Sequence, residues 1–189
     1  MDASMKRRQE GFTLIESMVA FAMLVVGLLG IFQLHLTAKR GNHDAFEYTQ
    51  AHVLATAIIA RMRLNTRQLS TYVASNYGSG TIAPPLTSCV NPLADEPLCS
   101  PQEMAQWDRY VWDQMVAGRN ERLGDRSIGA PRSRSGCITQ TDDTVSVVVT
   151  WEGMDEISHS AGGSLTTTCG NPSKQRRAIQ LVTTIVATP

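Results

Sequence analysis

Gly11 to Arg40 reads GFTLIESMVAFAMLVVGLLGIFQLHLTAKR, and the fold is decided in this stretch. The 22 residues from Ser17 to Ala38 contain no charged side chain. As an α-helix rising about 1.5 Å per residue they extend about 33 Å, enough to cross the hydrocarbon of a bilayer. One carboxylate, Glu16, stands just inside the apolar run. Carboxylates in such positions are costly, which marks Glu16 as a functional residue. A short basic leader (Lys6, Arg7, Arg8) and Gly11 precede it.

Gly11, Phe12, Thr13, Leu14, Ile15 and Glu16, followed at once by the apolar helix, resemble the class III signal of type IV prepilins and of type II secretion pseudopilins. The ending Gly27-Leu28-Leu29-Gly30 resembles most the minor pilin PilV group and its pseudopilin relatives. The likeness is specific over residues 6–36 and architectural beyond them. It implies cleavage after Gly11 by a prepilin peptidase on the cytoplasmic side, then methylation of the new amino group on Phe12. It also implies that Glu16 sets register between subunits by meeting the Phe12 amine of a neighbour in a staggered bundle.

The function implied is that of a minor type IV pilin, a structural subunit that helps start or modify a pilus for adhesion or twitching motility. A minor pseudopilin of type II secretion is the alternative. The implied partners are other major and minor pilins, the prepilin peptidase, the inner-membrane assembly platform and the lipid bilayer. The resemblance places the chain in the bacterial inner membrane as a single-pass protein with a periplasmic head, and in the pilus after assembly. A third class, a membrane-anchored periplasmic enzyme or binding domain, predicts an uncut leader and a pocket with convergent polar groups.

An ordinary secretory signal also pairs a basic n-region with an apolar core. This apolar run is longer than such a core, and His35-Leu36-Thr37-Ala38 makes a poor signal-peptidase site. Nor does a simple anchor need Glu16. Alone in lipid, that carboxylate would protonate or find a cation, because unpaired burial is costly. A Phe12 amine would lie about one turn away in the same helix, or in a neighbour.

The chain has 189 residues with 17 basic and 17 acidic side chains, so no charge excess points to nucleic acid. All four cysteines (Cys89, Cys99, Cys137, Cys169) follow the membrane segment. Their even number suggests two disulfides in an oxidising compartment. Three pairings are possible; Cys89–Cys99, a short loop closure, and Cys137–Cys169, tying a late loop to a strand, are favoured. Each bridge would add about 2–4 kcal/mol. A zinc site would be expected to show a C-x-x-C, which is lacking.

No proline precedes Pro84, so one helix can run from Phe12 past Arg40. Beyond Arg40, Ala51, Leu54, Ile58 and Met62 recur at helical spacing with Arg61, Arg63 and Arg67 between, and the helix should end between Leu64 and Leu69. Thr71 to Ser100 reads as irregular connection, with Gly78-Ser79-Gly80, Pro84-Pro85, Pro92 and Pro97. A second helix starts from Ser100 as N-cap, with Pro101 first and Glu103 completing a capping box. Met104, Trp107, Val111 and Met115 are expected to be its apolar face, and Gly118 its stop. Arg119 to Arg134 reads as a solvated loop with five arginines and a net charge of about +3. Three strands are expected over Gly136–Thr139, Thr144–Trp151 and Arg177–Thr188, the first two joined at Asp142-Asp143. Val145, Val147, Val149 and Trp151 share one face; Ile179, Leu181, Ile185 and Ala187 alternate on the last strand.

The fold class is α+β: a long N-terminal helix whose amphipathic half packs on an antiparallel sheet head. Its segments are a leader (1–11), a transmembrane and assembly helix (12–38), an amphipathic continuation (39–69) and a disulfide-bonded head (70–189). No G-x-S-x-G, H-E-x-x-H or glycine-rich phosphate loop is present, so neither catalytic residues, metal nor cofactor are expected. His43, Asp44 and Glu47 share a helix face as a weak metal or acid–base candidate. Asp142, Asp143, Asp155 and Glu156 lack a calcium-loop signature.

Overall fold

The computed structural model describes residues 11, 13–90, 98–120, 122–127, 133–157 and 165–186. In chain order these form α1 (Leu14–Leu64), a 3-10 turn (Thr66–Tyr72), β1 (Ala74–Tyr77), α2 (Pro101–Val116), β2 (Arg122–Leu123), β3 (Arg126–Ser127), β4 (Ser135–Thr141), β5 (Thr144–Glu152), α3 (Leu165–Thr168) and β6 (Arg176–Thr184). The chain divides into two compact units, residues 1–43 and 44–189. The single helix α1 runs through the boundary and ends inside the expected window. Asn65 stops it: its φ of −134° leaves helical space, while its side chain donates to the Pro101 carbonyl at 2.6 Å.

The second unit is an α+β head. Its four-stranded sheet has the order β1-β4-β5-β6, antiparallel throughout, and β2 and β3 form a separate small hairpin. Ala51, Leu54, Ile58 and Met62 are all buried, joined by Ala55 and Ile59 to make one stripe on α1. That stripe shares a single core with Val145, Val147, Val149 and Trp151 of β5, Ile138 of β4 and Ile179 of β6. Helical period on one side and period-two alternation on the other bring apolar faces together, as expected for a two-layer domain. Asp142 and Asp143 turn the chain between β4 and β5, with Asp142 at φ 52°. Ile185 leaves the strand yet stays buried, its N–H donating to the Asp143 carbonyl at 2.8 Å. Ala187 and Thr188 lie outside the described residues.

Four expectations are corrected. The stretch after Thr71 is not wholly irregular: Ala74–Tyr77 is an edge strand paired with β4. Its sequence ASNY has no alternation to announce it, and the backbone partner on β4 supplies the order. The sheet accordingly has four strands rather than three. The buried face of α2 is Ala105, Asp108, Trp112, Asp113 and Val116, one position on from the expected stripe. Two carboxylates lie on that face because they satisfy buried donors, which a polarity pattern counts as surface. Asp108 accepts from Arg61 at 2.8 Å and from the Tyr72 hydroxyl at 2.9 Å, and Asp113 accepts the Gly78 N–H at 2.7 Å. Burial first, then the adjacent Asp108 charge, pushes the Tyr72 phenol well above its ordinary range. Finally, Arg134 does not belong to a solvated loop. It is 6% exposed and donates to Glu47 at 2.8 Å and Gln50 at 3.3 Å.

Both favoured disulfides are present, Cys89–Cys99 and Cys137–Cys169. The second is buried against Val148, with Leu165 and Ala178 beside it. The expected capping box is complete: Glu103 N–H donates to Ser100 Oγ, and Ser100 N–H donates to the Glu103 carboxylate at 2.8 Å. The Ser100 N–H, and after it the Ser100 hydroxyl, which donates at 2.7 Å, hold the Glu103 carboxyl below its usual range. Arg176 is fully buried and donates to the Ser133 carbonyl at 3.1 Å and to Thr150 Oγ1 at 2.7 Å. Burial lowers its pKa from the ordinary guanidinium value.

Trp112 locks these layers together. Its indole N–H donates to the Leu54 carbonyl on α1 at 2.9 Å, and its ring meets Tyr77 edge-on at 4.5 Å. A Cβ placed on Gly136 would stand 2.6 Å from that ring and 3.2 Å from the Tyr77 Cβ. Gly136→Ala should therefore destabilise the head by about 1–3 kcal/mol through overpacking, read as a lower urea midpoint. The buried Glu47–Arg134 pair gives a second expectation. Glu47→Ala should cost about 3–5 kcal/mol by stranding a guanidinium, whereas Glu47→Leu combined with Arg134→Met should recover most of that loss. Equal losses in the single and the combined variants, by the same unfolding measurement, would refute the charge-stranding account.

Candidate membrane and assembly segment

The first unit offers the clearest functional surface. Thr13 precedes α1 and acts as its cap: its Oγ1 accepts the Glu16 N–H at 3.4 Å, and its carbonyl accepts the Ser17 N–H at 3.2 Å. Thr13-x-x-Glu16 is half of a capping box, a signal local to the sequence. Glu16 is exposed in the first helical turn, where the helix dipole favours a negative charge. Its carboxylate makes no ion pair with another described residue.

From Leu14 to Leu36 fifteen large apolar side chains are exposed, on every side of the helix. A segment within α1 reaches a mean hydropathy of 2.3, is wholly unburied, and suffices in length and composition to cross a membrane. Covering fifteen such side chains would gain about 20–45 kcal/mol at about 1.5–3 each. A charged residue carried to the bilayer centre costs about 2.5–3.5 kcal/mol. Burial of the helix therefore prevails easily over Glu16, whose cost can be kept for another purpose. Gly27 and Gly30 have no described atom within 4 Å of an added Cβ, so packing among the described residues requires neither. Both lie on open helix surface, suited to close approach of another helix.

Gly11 is exposed, and a side chain added there also meets no described atom within 4 Å. The fold does not demand glycine at this position. Phe12, expected to carry the methyl group, and residues 1–10, expected to belong to a leader, lie outside the described residues.

Of the other candidates, His43 falls in the first unit, and Asp44 and Glu47 belong to the head. Asp44 pairs with Arg177 at 2.9 Å and Glu47 with Arg134 at 2.8 Å, so both carboxylates answer arginines. No group of three or more potential metal ligands occurs among the described residues. The arginine partners lie 87 or more residues away in sequence, and no local pattern could have revealed them.

Residues 6–32 match the prokaryotic N-terminal methylation motif, and residues 33–110 match the Tt1218-like family, described as type IV pilin Tt1218. No curated protein and no solved structure matches the chain. Over residues 6–110 the chain thus matches the prokaryotic N-terminal methylation motif and, directly after it, is similar to the Tt1218-like family of type IV pilins.

Proposed function

We propose that this protein is a minor type IV pilin of PilV-like character, processed after Gly11 and built into the initiating complex of a pilus. One observation carries the reading: a methylation motif leads without a break into an apolar, fully exposed helix bearing a single early carboxylate. In this reading residues 1–11 are the leader, 12–38 the membrane and assembly helix, 39–69 its continuation, and 70–189 the periplasmic head. The chain acts as a structural subunit rather than an enzyme. The two disulfides accord with a head outside the reducing cytoplasm.

The mechanism follows from the cost of a lone carboxylate in lipid. Cleavage frees a cationic amine on Phe12, which prepilin peptidase then methylates. In a staggered bundle this amine meets Glu16 of the adjacent subunit, and attraction strengthens as water is excluded. The pair sets the axial register, while apolar packing supplies most of the cohesion. Other major and minor pilins and the inner-membrane platform are its partners. The pseudopilin reading shares every feature of residues 6–40. Loss of secretion, rather than of pili, in a deletion strain would select it.

Two outcomes test the proposal. Gly11→Val should block leader removal, leaving the 189-residue chain in place of the 178-residue product. Mass spectrometry of the N-terminus reads this directly, and normal processing of the valine variant would defeat the cleavage assignment. Glu16→Leu should leave processing, membrane insertion and head folding intact but lower incorporation into filaments or their initiating complex. Glu16→Gln keeps the shape without the charge and should assemble poorly as well. Co-purification with partner subunits, alongside the N-terminal mass, measures the effect. Normal assembly of processed Glu16→Leu would rule out the intersubunit pair.

A further inference from the structure

Outside the face that α2 buries, Trp107 and Tyr110 stand half-buried one turn apart, their ring centroids 6.0 Å from each other and their planes at 49°. With Gln114 on the next turn and Arg119 and Asn120 beyond it, they line an open cleft of about 470 Å3. Gly118, at φ 63°, reverses the chain there, and the Arg119 N–H returns to the Gln114 carbonyl at 2.9 Å. The cleft is therefore assembled from a helix and its own terminating turn. Its size falls within the range of about 300–1,000 Å3 typical of small-molecule sites.

We propose that this cleft binds an uncharged saccharide. A pyranose ring has an apolar C–H face and a rim of hydroxyls that both donate and accept. Two adjoining aromatic rings match the face. The amides of Gln114 and Asn120 offer donors and acceptors to the rim, while the Arg119 guanidinium stands against Gly80. Other ligand classes fit less well. A polyanion requires several cations, whereas Arg119 is the single cation among the described lining residues. A cation would be drawn by a carboxylate, and none lines the cleft. A purely apolar ligand is better served by the concavity of about 430 Å3 walled by Phe46, Val53, Leu54 and Met115. A third cleft, at Asn76, Thr81 and Gln106, has no aromatic ring on which a sugar could stack. This inference stands apart from the assembly reading, since it concerns residues 107–120 of the head alone.

The test uses the full-length protein in lauryldimethylamine oxide micelles, a detergent without a sugar headgroup. Lactose, maltose and N,N′-diacetylchitobiose are titrated by calorimetry and by acrylamide quenching of tryptophan emission. Trp112 and Trp151 are 0% and 2% exposed, so the quencher reports chiefly on Trp107. At least one disaccharide should protect Trp107 saturably, with Tyr110→Ala and Asn120→Ala each weakening binding about fivefold. Asn120 lies in an exposed turn, so its variant decides the matter even where Tyr110→Ala fails to fold. Absence of saturable protection by all three sugars overturns the proposal. So does sugar binding that both variants leave unchanged, which would put the site elsewhere. Protection by oligothymidylate alone would assign the cleft to single-stranded nucleic acid. Protection that rises with protein concentration alone would assign it to a second copy of this chain.

Discussion

Trp112 draws its hydrogen bond from a carbonyl that already belongs to a helix. The Leu54 oxygen lies within α1, and the indole of α2 reaches it at 2.9 Å. The ring then occupies the space that Gly136 leaves on β4, with Tyr77 of β1 against its edge. Tyr77 in turn donates to the Tyr72 carbonyl at 2.7 Å and accepts from Arg109 Nε at 3.1 Å. One side chain thus joins both helices, an inner strand and the edge strand. The rest of the head is arranged so that no member of this junction is left without its polar partner, which offsets the cost of burying the Trp112 indole N–H.

Within α1 the apolar residues obey two different rules. In residues 44–64 they form a stripe, and the sheet covers it. In residues 14–36 they surround the helix and nothing described covers them. A stripe is satisfied by one folded layer, whereas a fully apolar helix needs a medium or a bundle on all sides. The head can thus complete its core within one chain, and the first segment cannot. This difference, more than any single residue, makes the chain look for lipid or for other helices.

Much of the head was legible because its signals are periodic and local. Ala51 to Met62 at helical spacing, the alternating valines of β5 and the Ser100–Glu103 box each name their own structure. Thr13, which caps α1, was equally available, since Thr-x-x-Glu before an apolar run is a local pattern. What could not be read was decided at long range. The face of α2 is turned by Asp108 and Asp113, which answer Arg61, Tyr72 and the Gly78 N–H. Arg134 is drawn out of an arginine-rich stretch by Glu47, 87 residues earlier. β1 exists because β4 offers it an edge. Even the cleft beside Trp107 depends on that turned face, because an α2 packed through Trp107 and Val111 would bury a ring that now stands half-buried at the cleft.

The carboxylates of the two units can be compared on one physical scale. In the head, Glu47, Asp108 and Asp113 are buried, and each is met by a guanidinium, a phenol or a backbone N–H. Removing such a partner strands a charge and costs several kcal/mol, so the pairings are fixed once the head folds. Glu16 stands in the most apolar part of the sequence without such an ion pair among the described residues. While exposed it needs none. Once the surrounding helix is covered, whether by lipid or by other helices, the same desolvation acts on Glu16 as on Glu47. The proposed meeting with a Phe12 amine would give Glu16 what Arg134 gives Glu47. Its partner would arrive only on assembly, so the desolvation that penalises an unpaired subunit would reward correct register.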